Sequence, residues 1–142
     1  MITGILHATF LTADLRKSRA FYEGILGLKP DPNRPAMSYD GVWYDVADKQ
    51  QIHLMLLPNP ETGLQRPAHP QGVRRGCKGL KPQQHTQHGG RDRHVALEVS
   101  DMAKLVERLD QAGVTYTLSQ SGRRALFCRD PDGNALEFIG NG

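Results

Sequence analysis
Two stretches of this 142-residue chain repeat one another, and no other feature constrains the fold as much. His7 lies in Gly4-Ile-Leu-His-Ala-Thr-Phe-Leu11, and His94 lies in Asp92-Arg-His-Val-Ala-Leu-Glu-Val99. Each run is followed by an Asp, a helical stretch and a Gly. Further on, His53 lies in Gln51-Ile-His-Leu-Met-Leu56 and Glu137 in Asn134-Ala-Leu-Glu-Phe-Ile139. His7 and His94 are 87 residues apart, and His53 and Glu137 are 84 apart. Offsets this close predict a duplicated unit that supplies two polar, metal-competent side chains per copy.

Apolar alternation fills in each copy. The first reads as a strand Ile5 to Leu11, a helix Leu15 to Leu26 capped by Asp14 and stopped by Gly27, and a short edge strand near Leu28. A hairpin follows, Tyr39 to Val46 and Gln51 to Leu57, with Asp48-Lys49 at its turn. The second reads as a strand Arg93 to Val99 and a helix capped by Ser100 or Asp101. That helix carries Met102, Leu105, Val106, Leu109 and Ala112 on one stripe and ends at Gly113. Short strands at Val114 to Leu118, Arg124 to Cys128 and Ala135 to Ile139 complete it, with Asp130-Pro-Asp-Gly133 as a strong turn. Both copies are therefore expected to run strand–helix–strand–strand–strand.

Side-chain parity sorts the strands into faces. Ile52, Leu54, Leu56, Val95, Leu97, Val99, Leu136 and Phe138 form apolar faces suited to packing on helices. His7, His53, His94 and Glu137 fall on the opposite faces, where a curled sheet would gather them. Trp43 and Tyr44 alternate, so one lines a cavity and the other the core. Phe21, Tyr22 and Cys128 read as core residues. Glu98, Tyr116 and Arg124 read as strand polar residues, Arg124 and Tyr116 being placed to meet an anionic substrate.

Composition enters through the join between the copies. Pro58 to Arg91 holds six basic residues (Arg66, Arg74, Arg75, Lys78, Lys81 and Arg91) against one acid, Glu61. The net charge of +3 thus belongs to this linker, and the remainder is slightly acidic. No aromatic residue is interleaved there for base stacking, so nucleic acid is not an expected partner. His69, His85 and His88 fit no standard metal spacing. Two cysteines make no disulfide framework. No apolar run approaches a membrane span, and no leader pattern opens the chain, so the expected location is the cytoplasm, without a membrane partner.

These motifs together resemble the vicinal oxygen chelate superfamily, which includes glyoxalase I, fosfomycin- and bleomycin-resistance proteins and extradiol dioxygenases. The likeness is carried by Ile-Leu-His7-Ala-Thr, Asp14-Leu, Phe21-Tyr22 and Leu26-Gly27, then by Arg93-His94-Val-Ala-Leu, Asp130-Pro-Asp-Gly133 and Leu136-Glu137-Phe. It implies an α+β fold of two βαβββ modules, residues 4–57 and 92–140, cupped around a metal within one domain. Residues 58–91 would be a linker, with an insertion at about 72–87. It implies His7, His53, His94 and Glu137 as ligands to a divalent transition metal (Ni, Fe, Mn, Co or Zn). His53 stands where glyoxalase I usually has a glutamate. The implied activity is that of a lyase or isomerase acting on a small molecule that chelates through adjacent oxygens. Glu137 and His53 would be its catalytic residues, and Arg124 and Trp43 would contact substrate. Fe(II) ring-cleaving dioxygenation with His53 as proton donor is the alternative, followed by non-catalytic small-molecule binding. A homodimer is the implied assembly.

Overall fold
In the computed structural model, residues 1–57, 90 and 92–141 are described. The expected linker and its insertion, apart from Gly90, lie outside them. The first module contains strand β1 (His7–Thr12), helix α1 (Leu15–Arg19) with a π-helical continuation (Ala20–Ile25), and strands β2 (Gly41–Ala47) and β3 (Gln50–Leu56). The second contains β4 (His94–Val99), α2 (Met102–Gln111), β5 (Tyr116–Leu118), β6 (Ala125–Arg129) and β7 (Ala135–Gly140). Two mixed sheets result, with strand orders β1-β3-β2 and β4-β7-β6-β5. In each, the first and last strands of the module pair in parallel and the rest are antiparallel. The fold is α+β, as the family resemblance implies.

Local chemistry explains the starts and stops. Asp14 accepts a hydrogen bond from Lys17 N and Asp101 accepts one from Lys104 N, the same cap in both copies. Of the two cap candidates before α2, Asp101 takes the place. Gly27 and Gly113 follow the two helices with φ of 75° and 66°, a left-handed turn that side chains resist. Lys49 turns the β2–β3 hairpin with φ of 58°.

Three expectations are corrected. The helix Leu15 to Leu26 is not uniform: beyond Arg19 its turns widen, and Leu26 N bonds to Phe21 O at 3.0 Å, five residues back. Periodicity alone cannot register that extra residue per turn. The strand near Leu28 reduces to one bridge, Pro30 to Tyr44, because proline has no N–H to extend a ladder. The first strand begins at His7 and not at Ile5, and Ile5 and Leu6 are exposed.

One core serves both modules. Phe21, Tyr22, Val42, Tyr44, Ile52 and Leu54 pack with Leu105, Leu109, Leu126, Cys128, Leu136 and Phe138 in one buried cluster. Helix α1 touches β3, α2 touches β7, and α2 touches the π-helical continuation. The helices therefore lie between the apolar faces of the two sheets. Truncating a residue such as Leu136 to Ala would cost about 2–5 kcal/mol. A polar clasp reinforces the join: Tyr22 donates to Asp130 Oδ2 at 2.8 Å, Ser18 donates to Asp132 Oδ2 at 2.9 Å, and Asn134 reaches Leu11 O at 3.4 Å. Burial pushes the Asp130 carboxyl above its ordinary value, against the pull of its hydrogen bonds with Asn134 and Tyr22. Burial also pushes the Cys128 thiol up to about 12, which makes it the inert core residue expected. Among the described residues, no helix is long and apolar enough to cross a membrane.

Candidate metal centre
The candidate ligands occupy equivalent places in the two sheets. His7 is the register partner of Gln51, and His53 stands two residues further along β3. His94 is the register partner of Ala135, and Glu137 stands two residues further along β7. Residues two apart share a face, so each parallel strand pair presents one diagonal pair of side chains on the face away from the core. The duplication seen in the sequence is thus a duplication of geometry.

In the second sheet, His94 Nδ1 meets the Asp92 carbonyl oxygen at 2.7 Å. A carbonyl only accepts, so Nδ1 carries the proton, and Nε2 faces Glu137 Oε2 at 2.9 Å. A ring lone pair and a carboxylate this close repel unless a positive species joins them, either a second proton or a metal ion. Histidines that bind metals commonly donate their other N–H to a carbonyl in this way. The Glu137 side chain is 7% exposed, and its Oε1 accepts from Arg123 Nη2 at 3.3 Å. Arg129 fixes Asp92 at 2.7 Å, and Phe127 packs edge-on to the His94 ring.

The first sheet is arranged differently. His53 lies between two parallel rings, with Trp43 at 4.2 Å and 6° and His7 at 4.2 Å and 12°. Trp43 is also its cross-strand partner. His53 Nε2 meets Gln51 Oε1 at 2.9 Å. Burial first, then His7 and Arg34 beside it, push His53 down to about 4, against the opposing pull of Asp31.

His7, His53, His94 and Glu137 are thus brought together as two pairs. Among the described residues, no three His, Cys, Asp or Glu side chains gather closely enough to hold one cation. The pairs lie on faces directed away from the shared helical core. Trp43 stacks on His53 of the first pair, and Tyr44 is fully buried. The Arg124 carbonyl accepts from Gly140 N at 2.9 Å, and the neighbouring Arg123 contacts Glu137. Arg123 lies in the bend before β6, so strand alternation does not mark it. Sequence reasoning also missed Gln51, which shares the His53 face. A cavity of about 550 Å³ lies beside the open edge of β4, between Leu26, Val46, Leu97, Lys104, Arg108 and Phe138, and none of the four candidate ligands lines it.

Comparison with known proteins agrees with the fold. The family model described as "Glyoxalase/Bleomycin resistance protein/Dioxygenase superfamily" matches residues 4–138. The chain is 23% identical to Glyoxylase I 4 of Arabidopsis thaliana over 142 residues, covering 96% of this chain and 70% of that protein. A putative glyoxalase family protein from Bacillus anthracis has the same fold, with a TM-score of 0.65, 20% identity, and coverage of 100% of this chain and 98% of that one. So has a mutant of a Listeria monocytogenes fosfomycin resistance protein complexed with Mn(II) and 1S,2S-dihydroxypropylphosphonic acid. Its TM-score is 0.64 with 17% identity, over 100% of this chain and 95% of that one.

Proposed function
Because this chain belongs to the glyoxalase/bleomycin resistance protein/dioxygenase superfamily, we propose that it is a metal-dependent enzyme of the glyoxalase type. Its substrate is a small molecule that chelates through adjacent oxygens. The supporting observation is the convergence of His94 Nε2 and Glu137 Oε2 at 2.9 Å, with the other ring nitrogen already committed to Asp92. Three imidazoles and a carboxylate, from His7, His53, His94 and Glu137, suit Ni, Fe, Mn, Co or Zn. Such an ion supplies Lewis acidity towards the substrate oxygens.

The remaining chemistry belongs to the chain. Glu137, leaving the ion, would take up a proton from one substrate carbon and return it to the next, with Arg123 paired to Oε1. His94 keeps its orientation through Asp92 and Arg129. Trp43 walls the site beside His53. Each sheet carries half of the donor set, on faces turned away from the common core. A homodimer in which one copy sets its His7 face against the His94–Glu137 face of the other completes the set, and this assembly is part of the reading.

Metal content of untagged protein, followed by an assay with methylglyoxal and glutathione, tests it. Bound Ni, Co, Mn or Zn together with turnover supports the reading, and protein that takes up no divalent metal overturns it. Ring-cleaving dioxygenation is a second reading, favoured by the place of the His53 ring stacked beside His7. Oxygen-sensitive Fe(II) and cleavage of a catechol would select it.

A further inference from the structure
The two sheets prepare their histidines in opposite ways. His94 has its Nδ1 proton on a backbone carbonyl and turns Nε2 to the carboxylate. His53 has Nε2 on the side-chain oxygen of Gln51. The Gln51 amide is itself fixed, because its nitrogen donates to Asp31 Oδ2 at 2.9 Å and to Asp45 Oδ1 at 2.8 Å. Turning the amide over would face its oxygen to two carboxylates. The oxygen therefore stays towards His53 and can only accept, so Nε2 carries the proton.

Ring geometry leads to the same result. A metal bound to an imidazole lies close to the ring plane, about 2.0–2.1 Å from nitrogen. The His53 and His7 planes are within 12° of parallel, with centroids 4.2 Å apart. Nearly parallel planes so spaced do not meet at a point within bonding distance of both rings. Trp43 on the other face prevents His53 from tilting out of the stack.

We infer that His53 is a positioning residue and not a metal ligand, held as the Nε2–H tautomer by Gln51 and its two aspartates, and that it orients His7 by stacking. This inference rests on the metal-centre reading for the role of His7, but the tautomer itself does not depend on metal. The ligand set is then His7, His94 and Glu137. Gln51, Asp31 and Asp45 form the support behind the first half-site.

Long-range 1H–15N correlation spectra of the full-length protein test this, recorded without metal and with Zn²⁺. The His53 ring should show the Nε2–H pattern in both states, while Zn²⁺ shifts His7 and His94 nitrogens. Gln51→Leu should give His53 a mixture of tautomers. His53→Phe keeps a ring in the stack and has no nitrogen. It should retain stoichiometric Zn²⁺, weakened by no more than about tenfold, the lower end of the loss expected for an outer partner. The Nδ1–H tautomer in metal-free protein, a Zn²⁺-bound His53 nitrogen, or loss of stoichiometric Zn²⁺ in His53→Phe would each overturn the inference. If His53→Phe does not fold, the wild-type spectra decide. If wild-type protein binds no Zn²⁺, the metal-centre reading fails, and the metal-free tautomer still tests the Gln51 clamp.

Discussion

His94 and Glu137 face each other at 2.9 Å across two parallel strands, and the His94 ring is held in place from behind by the Asp92 carbonyl. The contact needs a positive species, and metal binding should depend on both partners. Glu137→Gln keeps the shape and removes the charge. It should lose stoichiometric divalent metal, measured by elemental analysis after dialysis, while thermal unfolding stays cooperative. His7→Ala should do the same. Full occupancy in both variants would remove the proposed ligand set.

Arg123 competes for the same carboxylate. Its side chain is 60% exposed, so the pair with Glu137 contributes little to stability, at most about 1 kcal/mol. Arg123→Gln removes a positive charge beside a cation site, and divalent metal affinity should rise by up to about tenfold in calorimetric titration, with thermal stability nearly unchanged. Arg124→Gln should leave the affinity unchanged. Weaker binding in Arg123→Gln would show that the guanidinium supports the site and does not compete for it.

If each site joins halves from two copies, defects in different halves should complement. His7→Ala and Glu137→Ala proteins, unfolded together and refolded as a mixture, would form mixed dimers with one intact site and one doubly defective site. Random pairing gives about a quarter of wild-type metal occupancy. No recovery above the separate variants would place the complete site within one chain.

The clasp between modules predicts both a stability loss and a pH dependence. Tyr22→Phe removes a donor from buried Asp130, which keeps Asn134 as a partner, so unfolding in urea should show a loss of about 1–3 kcal/mol.

Burial raises the folded-state value of Asp130. Its contribution is therefore fully present below the unfolded carboxylate value of about 3.9 and is lost as pH rises through the higher folded value. Subtracting the stability–pH curve of Asp130→Asn from that of the wild type should isolate a term that declines with rising pH over that interval. A difference that grows with pH would mean that the hydrogen bonds outweigh burial.

The sequence by itself determined the duplication, the α+β class, most strand positions and the parity that puts His7, His53, His94 and Glu137 on the faces away from the core. These follow from local rules, because alternation and capping are set by backbone geometry within a few residues. The tertiary structure decided the rest. The π-helical continuation carries Phe21 and Tyr22, both buried in a core shared with the other module. The placement of helices between the sheets, which parts the candidate ligands into two pairs, depends on how the apolar faces of two modules pack. The roles of Gln51 and His53 depend on Asp31, Asp45 and Trp43, which meet them through loop placement and strand register. A hydrogen-bond chain of that kind assigns a proton to one ring nitrogen, and residue type alone carries no information about which nitrogen holds it.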